Sequence, residues 1–284
     1  MSIPDLTGTP VLVTGGGGFI GSNLVDELLA RGARVRVLDN FATGRRENLA
    51  HCLERIELIE GDIRDGRTCE ESCRDQRFIF HQAALGSVPR SIEDPATTLD
   101  VNTQGTANLL AAARDAEVER FIFASSSSVY GDTERLPKKE GEEGLTLSPY
   151  ATSKKLCEEL ADTFFRCYGL QWIGLRYFNI YGPRQDPAGP YAAVIPRFFD
   201  AFLANQSPVI FGDGEQSRDF TFVADAARAN LLAAGAKREA CNRAYNVAAG
   251  DRTSVNELAE LIRQSVGSNA TPKHEPPRAG DVKH

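Results

Sequence analysis

The stretch Val11-Leu12-Val13-Thr14-Gly15-Gly16-Gly17-Gly18-Phe19-Ile20-Gly21 decides the fold of this chain. Its first four residues predict a short buried β-strand, and a helical pattern of leucine and valine follows until about Gly32. A glycine-rich turn between a strand and a helix lets the backbone come close to a pyrophosphate, whose charge is stabilised at the helix N-terminus. The stretch therefore predicts the dinucleotide-binding start of an α/β domain.

Two glycine spacings overlap in this turn. Gly16, Gly18 and Gly21 spell G-x-G-x-x-G, whereas Gly15, Gly18 and Gly21 spell G-x-x-G-x-x-G. Both spacings suit a nucleotide-binding turn, and the residues of the turn alone do not separate them.

Short apolar runs alternate with helical patterns through the first half of the chain, which predicts a parallel sheet covered by helices. Loops rich in proline, glycine and aspartate follow residue 182, and a substrate lobe is expected there. We therefore predict an α/β fold: a Rossmann-type doubly wound parallel sheet with a smaller C-terminal substrate lobe. The predicted ranges are 1–180, with a returning stretch at about 219–248, for the dinucleotide-binding domain, and 181–218 with 249–284 for the lobe. One continuous strand is predicted over residues 171–181, and one long helix over residues 97–116.

Asp39 closes the second predicted strand, where an acidic residue can hydrogen-bond the ribose hydroxyls of an adenosine. A carboxylate there repels a 2′-phosphate, so NAD is predicted rather than NADP, although Arg45 and Arg46 follow closely. Asp62-Ile63 and Ala83-Ala84 come directly after the third and fourth predicted strands. Ligands of open α/β sheets bind at the carboxyl ends of the strands, so these residues are predicted to line the cofactor site.

Tyr150 and Lys154 stand four residues apart at the start of a predicted helix and therefore share one face. The ammonium group stabilises the phenolate, and a phenolate can take a proton from a sugar or alcohol hydroxyl and later return it. The serine run 125–128 ends the fifth predicted strand, at a distance that lets the fold bring it to the tyrosine. Together with the glycine turn, the pattern predicts proton transfer coupled to oxidation.

Composition argues against several classes of protein. A net charge of −7 over 284 residues, with a pI near 5.3, is not that of a nucleic-acid-binding protein. The N-terminus lacks the regions of a signal peptide, and no apolar run approaches the roughly 20 residues that cross a bilayer, so we expect a cytoplasmic protein without membrane contact. Six scattered cysteines and four dispersed histidines predict reduced thiols and no metal site.

Further stretches carry a family resemblance. Besides the glycine turn, the serine run and Tyr150 to Lys154, they are Gln82–Ser91, Ser126–Gly131, Leu175–Asn179, Tyr191–Pro196, Gly212–Gly214 and Ser217–Phe220. With these motifs the sequence resembles the extended short-chain dehydrogenase/reductase family, and within it the UDP-hexose 4-epimerases, especially the UDP-N-acetylglucosamine 4-epimerase group. The resemblance implies a bound NAD, a UDP-sugar substrate and a homodimer formed through the helices at 97–116 and 150–168.

The resemblance also assigns residues to the site. It favours the G-x-x-G-x-x-G spacing, and it makes Ser126 the serine that hydrogen-bonds the reacting hydroxyl, with Ser127 and Ser128 as close rivals. The predicted catalytic residues are Tyr150, Lys154 and Ser126. The predicted cofactor-binding residues are Gly15, Gly18, Phe19, Ile20, Gly21, Asp39, Asn40, Asp62, Ile63, Ala83, Ala84, Asn102, Lys154 and Tyr177. The predicted substrate-binding residues are Ser87, Arg90, Ser126, Ser127, Ser128, Tyr150, Asn179, Val194, Arg218 and Arg278.

The predicted reaction is NAD-dependent 4-epimerisation of a UDP-hexose, acetylated or not, through a transient 4-keto sugar. Nucleotide-sugar dehydratases and decarboxylases of this fold are expected to carry an acid directly after their catalytic serine or threonine. Here Ser127 follows Ser126, and the first acidic residue is Asp132. The absence of that acid favours epimerisation. Arg218 and Arg278 are predicted to hold the pyrophosphate, since guanidinium groups bind phosphates through paired hydrogen bonds.

Two alternatives stay open at this level: a UDP-uronic acid 4-epimerase and a non-catalytic dinucleotide sensor. The choice between acetylated and non-acetylated sugars is open as well. In the epimerases, the residue seven positions after the one matching Arg278 decides whether an N-acetyl group fits, and that position falls beyond His284. The resemblance therefore implies either that the sequence is incomplete or that its substrate lobe is unusually short.

Overall fold

A computed structural model describes residues 3–187 and 193–276 of the chain. The chain divides into two units, the first formed by Met1–Tyr177 with Val223–Val247 and the second by Phe178–Phe222 with Ala248–His284. Within these described ranges, no helix is both long and apolar enough to cross a membrane.

A seven-stranded sheet, parallel throughout, forms the centre of the first unit, with the strand order β3-β2-β1-β4-β5-β6-β11. Its strands, numbered along the whole chain, are β1 Pro10–Thr14, β2 Arg34–Asp39, β3 Ile56–Glu60, β4 Phe78–His81, β5 Arg120–Ser126, β6 Trp172–Tyr177 and β11 Arg243–Val247. Strands β4 and β6 are buried along their full length, because helices cover both faces of the sheet. The predicted fold class is confirmed.

The helices of the first unit pack on the two faces of this sheet. They are α1 Phe19–Ala30, α2 Gly66–Cys73, α3 Val88–Glu93, α4 Pro95–Leu99, α5 Gly105–Asp115, α6 Pro149–Tyr168 and α8 Val223–Ala234. Helix α1 packs beside α8, and α2 beside α5. Because all strands run parallel, their carboxyl ends meet at one edge of the sheet, where the loops that carry the glycine turn and the serine run begin.

The helix predicted over 97–116 runs through α4 and α5, and it contains one wide turn. A wide π-helical turn, Asp100–Gln104, separates α4 from α5. The carbonyl of Asn102 in this turn accepts hydrogen bonds from the Thr106 hydroxyl at 2.5 Å and the Cys157 thiol at 3.3 Å. Such turns often mark functional sites, because they redirect a side chain without ending the helix.

The strand predicted over 171–181 is divided. Strand β6 ends at Tyr177, and the short strand β7, Ile180–Tyr181, follows in the second unit. Asn179 between them has a φ of 36°, a left-handed conformation that no extended strand contains. The prediction of one continuous strand was wrong because asparagine, unlike most residues, adopts this conformation readily.

The second unit is built on two helices, α7 Val194–Leu203 and α9 Val255–Val266. Their apolar faces enclose a core that includes Ile195, Phe198, Phe202, Leu258 and Ile262. Short strand pairs surround them: β7 with β10 (Thr221–Phe222), β9 (Ser217–Arg218) with β12 (Thr253–Ser254), and β8 (Val209–Phe211) with β13 (Lys273–Glu275). A capping box of Ser254 and Glu257 begins α9, and Gly267 in a left-handed conformation ends it.

Candidate active site

The glycine turn joins the carboxyl end of β1 to the N-terminus of α1. Gly15 adopts a φ of 70°, and a Cβ atom there would lie 2.6 Å from the backbone nitrogen of Ala83. A Cβ at Gly21 would lie 2.1 Å from the Gly15 carbonyl oxygen. At Gly16, by contrast, the nearest atoms belong to the side chain of Val37. The backbone therefore demands glycine at Gly15 and Gly21, whereas a Cβ at Gly16 would lie 2.7 Å from the Val37 side chain; since Gly21 belongs to both spacings, it is Gly15 that favours G-x-x-G-x-x-G.

The first turn of α1 keeps its backbone amides available to a ligand. Gly18 is the N-cap residue, and no side chain caps the helix. The predicted residues Phe19 and Ile20 are the first two of the helix and are partly exposed. Uncapped amides at a helix N-terminus are suited to bind an anion such as a pyrophosphate.

Asp39 ends β2 beside this turn and is 7% exposed. Its carboxylate accepts hydrogen bonds from the amides of Gly17 and Phe41, both at 2.8 Å. Burial raises the pKa of Asp39, and these two hydrogen bonds oppose that rise. The acid is therefore placed rigidly at the carboxyl end of its strand, next to the glycine turn.

The neighbouring arginine Arg46 is engaged elsewhere. It forms an ion pair with Glu60, and its guanidinium carbon lies 4.3 Å from the centre of the Phe41 ring. The backbone amide of Arg45 donates to the Gly17 carbonyl at 2.9 Å. The engagement of Arg46 with a carboxylate supports the predicted preference for NAD, because a 2′-phosphate would have to compete with Glu60.

The end of β3 places Asp62 and Ile63 at the same edge of the sheet. The Asp62 carboxylate accepts hydrogen bonds from Asn40 at 2.9 Å and from Arg64 at 2.8 Å. The hydrogen bonds of Arg64 lower the pKa of Asp62 to about 2. Ile63 is buried under Gly105, where a Cβ would meet its side chain at 2.5 Å. Contact of these residues with a cofactor stays a prediction.

Ala83 and Ala84 follow β4, and Tyr177 ends β6 in a buried hydrogen-bond network. The phenol of Tyr177 donates to Gln82 at 3.2 Å and accepts from Asn230 at 2.7 Å. Burial raises the pKa of Tyr177 to about 12, so this phenol remains protonated at neutral pH. Tyr177 can therefore pack against a ligand but cannot serve as a base.

Asn102, in the π-helical turn, connects three segments of the site. Its side-chain oxygen accepts the Leu85 amide at 2.8 Å, and its nitrogen donates to the Ser153 hydroxyl at 3.0 Å. That hydroxyl donates in turn to the carbonyl of Tyr150 at 2.7 Å. Asn102 is 1% exposed, so its direct role here is to hold the turn that carries Tyr150.

The four consecutive serines differ in their partners. Ser125 is buried, and its hydroxyl donates to Glu158 at 2.6 Å. The Ser126 oxygen accepts from the amide and the hydroxyl of Ser128 at 3.2 and 2.9 Å, and thereby caps the 3-10 turn Ser127–Tyr130. Adjacent strand residues point to opposite faces, which explains why Ser125 and Ser126 diverge. The structure thus removes Ser125 from the choice and leaves Ser126, Ser127 and Ser128.

Tyr150 and Lys154 lie in the first two turns of α6. Ser148 caps this helix through the amide of Ala151, and Pro149 occupies its first position. Lys154 is 5% exposed, and its ammonium donates to the carbonyl of Ala124 in β5 at 2.8 Å. The ammonium is therefore directed to β5, and Tyr150 precedes Lys154 by four residues on the same helix face.

The predicted sugar-side residues Ser87 and Arg90 open the short helix α3. The Ser87 hydroxyl accepts the backbone amide of Arg90 at 3.2 Å and caps the helix. Both residues are partly exposed. A capping role accounts for the Ser87 contact, and binding of a sugar by these residues stays a prediction.

The second unit contains a cavity of about 520 Å³ between α7 and the short strands. The predicted residues Asn179, Val194 and Arg218 all line it. Asn179 donates to the Asp219 carbonyl at 2.9 Å, and Arg218 donates to the Ser217 carbonyl at 2.8 Å. Arg278, the fourth residue predicted for this lobe, lies outside the described residues.

Comparison with known proteins identifies the family. The model of the NAD dependent epimerase/dehydratase family matches residues 11–248. The chain belongs to this family. A putative UDP-glucose 4-epimerase of Methanocaldococcus jannaschii is 42% identical over 274 residues, 96% of this chain and 87% of that protein. A UDP-N-acetyl-alpha-D-glucosaminuronate decarboxylase of Bacillus cytotoxicus is 37% identical over 270 residues, 93% and 83% of the two chains.

One solved structure is closely similar to this chain. It is a UDP-N-acetylglucosamine 4-epimerase from Methanobrevibacter ruminantium in complex with UDP-N-acetylmuramic acid. It is 42% identical, with a TM-score of 0.94, and the match covers 98% of this chain and 88% of that chain. The family resemblance inferred from the motifs is thereby confirmed.

NAD is the cofactor of this protein. The backbone of the first unit fits a dinucleotide. The glycine turn leaves no room for side chains at Gly15 and Gly21, and the first turn of α1 is uncapped. Asp39 stands beside the turn to receive ribose hydroxyls. The prediction of NAD is confirmed, whereas the contact of each residue with it stays a prediction.

Within the described residues, 3–187 and 193–276, potential metal ligands come together at one point. Ligand atoms of Asp26, His51 and Cys52 lie within 4.8 Å of one another. Asp26 and His51 are hydrogen-bonded at 2.6 Å, and the Cys52 thiol donates to the Leu49 carbonyl at 3.3 Å. All six cysteines are free thiols. That the reaction needs no metal stays a prediction.

Sequence reasoning missed polar residues of this epimerase/dehydratase site. Glu158 and Arg176 form a buried ion pair at 2.7 Å behind the serine run, and Arg197 and Gln216 line the cavity of the second unit. Glu158 stands four residues after Lys154 and Arg197 three after Val194, which are spacings of shared helix faces. These helical spacings are the sequence signal that could have identified Glu158 and Arg197.

His81 makes the stability of the folded protein depend on pH. It is fully buried between the hydroxyls of Thr14 at 2.7 Å and Thr106 at 2.9 Å. Burial, aided by the charge of Lys154, lowers the pKa of His81 from 6.5 to about 3. Between these values the unfolded chain binds a proton that the folded chain does not, so stability falls as the pH falls.

We expect His81→Asn to flatten the dependence of unfolding free energy on pH in this interval by up to about 1.4 kcal/mol per pH unit. Urea denaturation at a series of pH values between neutrality and the acid limit of folding measures the slope. His274→Asn, at an exposed histidine, is the control and should keep the wild-type slope. An unchanged slope in His81→Asn would show that this histidine is protonated in the folded state.

Proposed function

We propose that the protein is a UDP-sugar 4-epimerase that oxidises C4 of a UDP-hexose and reduces it again from the other face. The observation that carries the proposal is the chemistry at the carboxyl end of β5. Tyr150 and Lys154 share a face of α6, and serine hydroxyls without a carboxylate follow the strand from Ser126 to Ser128. The 4-epimerases among the similar proteins support the same reaction.

In the proposed reaction, Tyr150 as phenolate accepts the proton of the sugar 4-hydroxyl and returns it after the 4-keto sugar has turned. Lys154 stabilises the phenolate through its charge. Ser126 orients the hydroxyl by a hydrogen bond, with Ser127 and Ser128 as alternatives. NAD held at the glycine turn and Asp39 would supply a reversible acceptor for the C4 hydride.

A sugar that turns between the two half-reactions must be held mainly through its nucleotide diphosphate. We assign this binding to the cavity of the second unit, because Arg218 and Asn179 offer hydrogen-bond donors there and Val194 offers an apolar wall. A guanidinium group suits a diphosphate, since it can donate two parallel hydrogen bonds. Arg278 is proposed as a second cation for the same group.

Decarboxylation is the main competing function, because a UDP-sugar decarboxylase is among the similar proteins. That chemistry is expected to need an acid beside the serine. The first acid after the serine run, Asp132, uses its side chain to accept the amide of Leu145 at 2.8 Å and so closes the neck of the following loop. This structural engagement of Asp132 favours epimerisation.

Separate incubation of the purified protein with UDP-glucose, UDP-N-acetylglucosamine and a UDP-uronic acid tests the proposal. We expect NMR spectra to show the 4-epimer of at least one UDP-hexose at equilibrium. Release of carbon dioxide from the uronic acid, without epimers of the hexoses, would establish decarboxylation instead. A 4-epimer of the uronic acid alone would support the uronic acid epimerase, and no product would indicate a dinucleotide sensor.

The remaining predictions concern assembly and location. The homodimer through the helices at 97–116 and 150–168 stays a prediction, and so does cytoplasmic residence. The choice between acetylated and non-acetylated hexoses is decided by the same incubation experiment.

A further inference from the structure

A buried carboxylate lies on the catalytic face of α6. Tyr150, Lys154 and Glu158 follow one another at intervals of four residues, so their side chains project from the same face of the helix. Lys154 and Glu158 are both buried, at 5% and 7% exposure. A lysine and a glutamate at this spacing ordinarily attract each other, and burial strengthens that attraction.

Both carboxylate oxygens of Glu158 nevertheless accept hydrogen bonds from other residues. Its Oε1 accepts hydrogen bonds from the Ser125 hydroxyl at 2.6 Å and from Nε of Arg176 at 2.9 Å. Its Oε2 accepts from Nη2 of Arg176 at 2.7 Å. The guanidinium fork thus binds both carboxylate oxygens, an arrangement that a lysine cannot reproduce.

The Lys154 ammonium is bound to a backbone carbonyl. It donates to the carbonyl of Ala124 at 2.8 Å, and among the described residues it forms no ion pair with the glutamate. A neutral carbonyl holds the ammonium in place without cancelling its charge. The charge of Lys154 is therefore not neutralised by an ion pair within the described residues.

We propose that Arg176 is a positioning residue that occupies Glu158 and so keeps this carboxylate from neutralising Lys154, whose charge then stabilises the Tyr150 phenolate. The proposal rests on the proposed function, in which Tyr150 is the base. Arg176 acts here through Glu158 and Lys154.

Three titratable groups close to α6, namely His81, Tyr177 and Cys157, are neutral at neutral pH. His81 has a pKa of about 3, and burial raises the pKa of Tyr177 to about 12. Burial also raises the pKa of Cys157, so its thiol stays protonated. The further charged or titratable residues on elements packed against α6 are Arg90, Glu93, Asp100, Arg114, Asp115, Arg120, Tyr130, Arg243 and Tyr245. Glu158 is thus the ionisable carboxylate that shares a helix face with Lys154.

Arg176 has structural contacts as well, which the experiment must separate from its electrostatic role. It forms an ion pair with Glu143 and donates to the Tyr130 phenol at 3.1 Å. Removing the arginine therefore leaves two buried carboxylates without their partner, which is strongly destabilising. Removing the charge of Glu158 together with it relieves part of that penalty.

The test compares Arg176→Met, Glu158→Gln and the double variant. We expect Arg176→Met to move the acidic limb of the kcat/KM profile to higher pH by about one unit, because Glu158 then competes for Lys154. The double variant should return the limb towards the wild-type position, since no competing carboxylate remains. A purely structural role of Arg176 predicts lower activity without this return. Arg77→Met, at an exposed ion pair with Glu119, is the matched control and should leave the limb in place.

A second readout does not depend on turnover. Ultraviolet absorbance of tyrosinate is titrated in each variant, and the titration of the same variant carrying Tyr150→Phe is subtracted. If Arg176→Met does not fold, Arg176→Lys decides: a lysine cannot bind both oxygens of Glu158, so the limb and the tyrosinate titration of this variant should move to higher pH by up to about one unit. Unmoved titrations in the folded Arg176 variants would overturn the proposal. An inactive wild-type enzyme with the expected tyrosinate shifts would contradict the proposed function and leave this inference standing.

Discussion

Tyr150→Phe is expected to lower kcat by about 100- to 10,000-fold, the range that a positioned general acid-base contributes. The phenol is the proposed proton acceptor, and the substitution removes one oxygen atom from a partly exposed position in the first turn of α6. Packing around the ring is kept, so the fold and the bound NAD should be unaffected.

Initial rates with the UDP-hexose that the incubation experiment identifies measure this loss. Thermal unfolding and the NAD content of the purified variant show that the site is otherwise intact. Tyr168→Phe is the matched control, because Tyr168 lies in the same helix and is 55% exposed. Full activity of Tyr150→Phe would refute Tyr150 as the base, and with it the proposed mechanism.

Gly21→Ala is expected to abolish retention of NAD through purification. The added Cβ would lie 2.1 Å from the Gly15 carbonyl oxygen and 2.8 Å from its carbon, so either the turn or α1 must move. Overpacking of this kind costs about 1–3 kcal/mol. If that cost falls on the binding geometry, NAD affinity decreases by about 10- to 100-fold.

Equilibrium binding of NAD followed by fluorescence or calorimetry measures the loss, and thermal unfolding separates it from a loss of folding. Gly66→Ala is the matched control, since Gly66 begins α2 and a Cβ there meets nothing within 4 Å. NAD affinity equal to wild type in Gly21→Ala would show that the glycine turn is not the dinucleotide site.

The elements that sequence reasoning predicted well are those with a local cause. The apolar run at 11–14, the glycines after it and the periodic leucines of α1 each follow from rules that act over a few residues. Tyr150 and Lys154 could be placed on one helix face from spacing alone. The prediction of a strand failed where one residue overrode the pattern, as Asn179 did at the end of β6.

Contacts between distant segments could not be predicted in this way. Ser125 was indistinguishable from Ser126 in the sequence, and only the packing of α6 on β5 shows that its hydroxyl is bound to Glu158. Arg176 likewise stands in an ordinary strand pattern, and its pairing with Glu158 spans 18 residues of sequence. Neither residue type nor spacing predicts which buried charges meet.

The sequence by itself determined the α/β class, the glycine turn and the pair of Tyr150 and Lys154, because strand burial, tight turns and helix faces are set by neighbours along the chain. The tertiary structure decided where the glycine turn admits no side chain, since the close approach of Gly15 to Ala83 and of Gly21 to Gly15 exists only after folding. It also decided where the charges lie around Tyr150. Electrostatic effects depend on distance in space and on burial, and both arise only when the sheet and its helices have assembled.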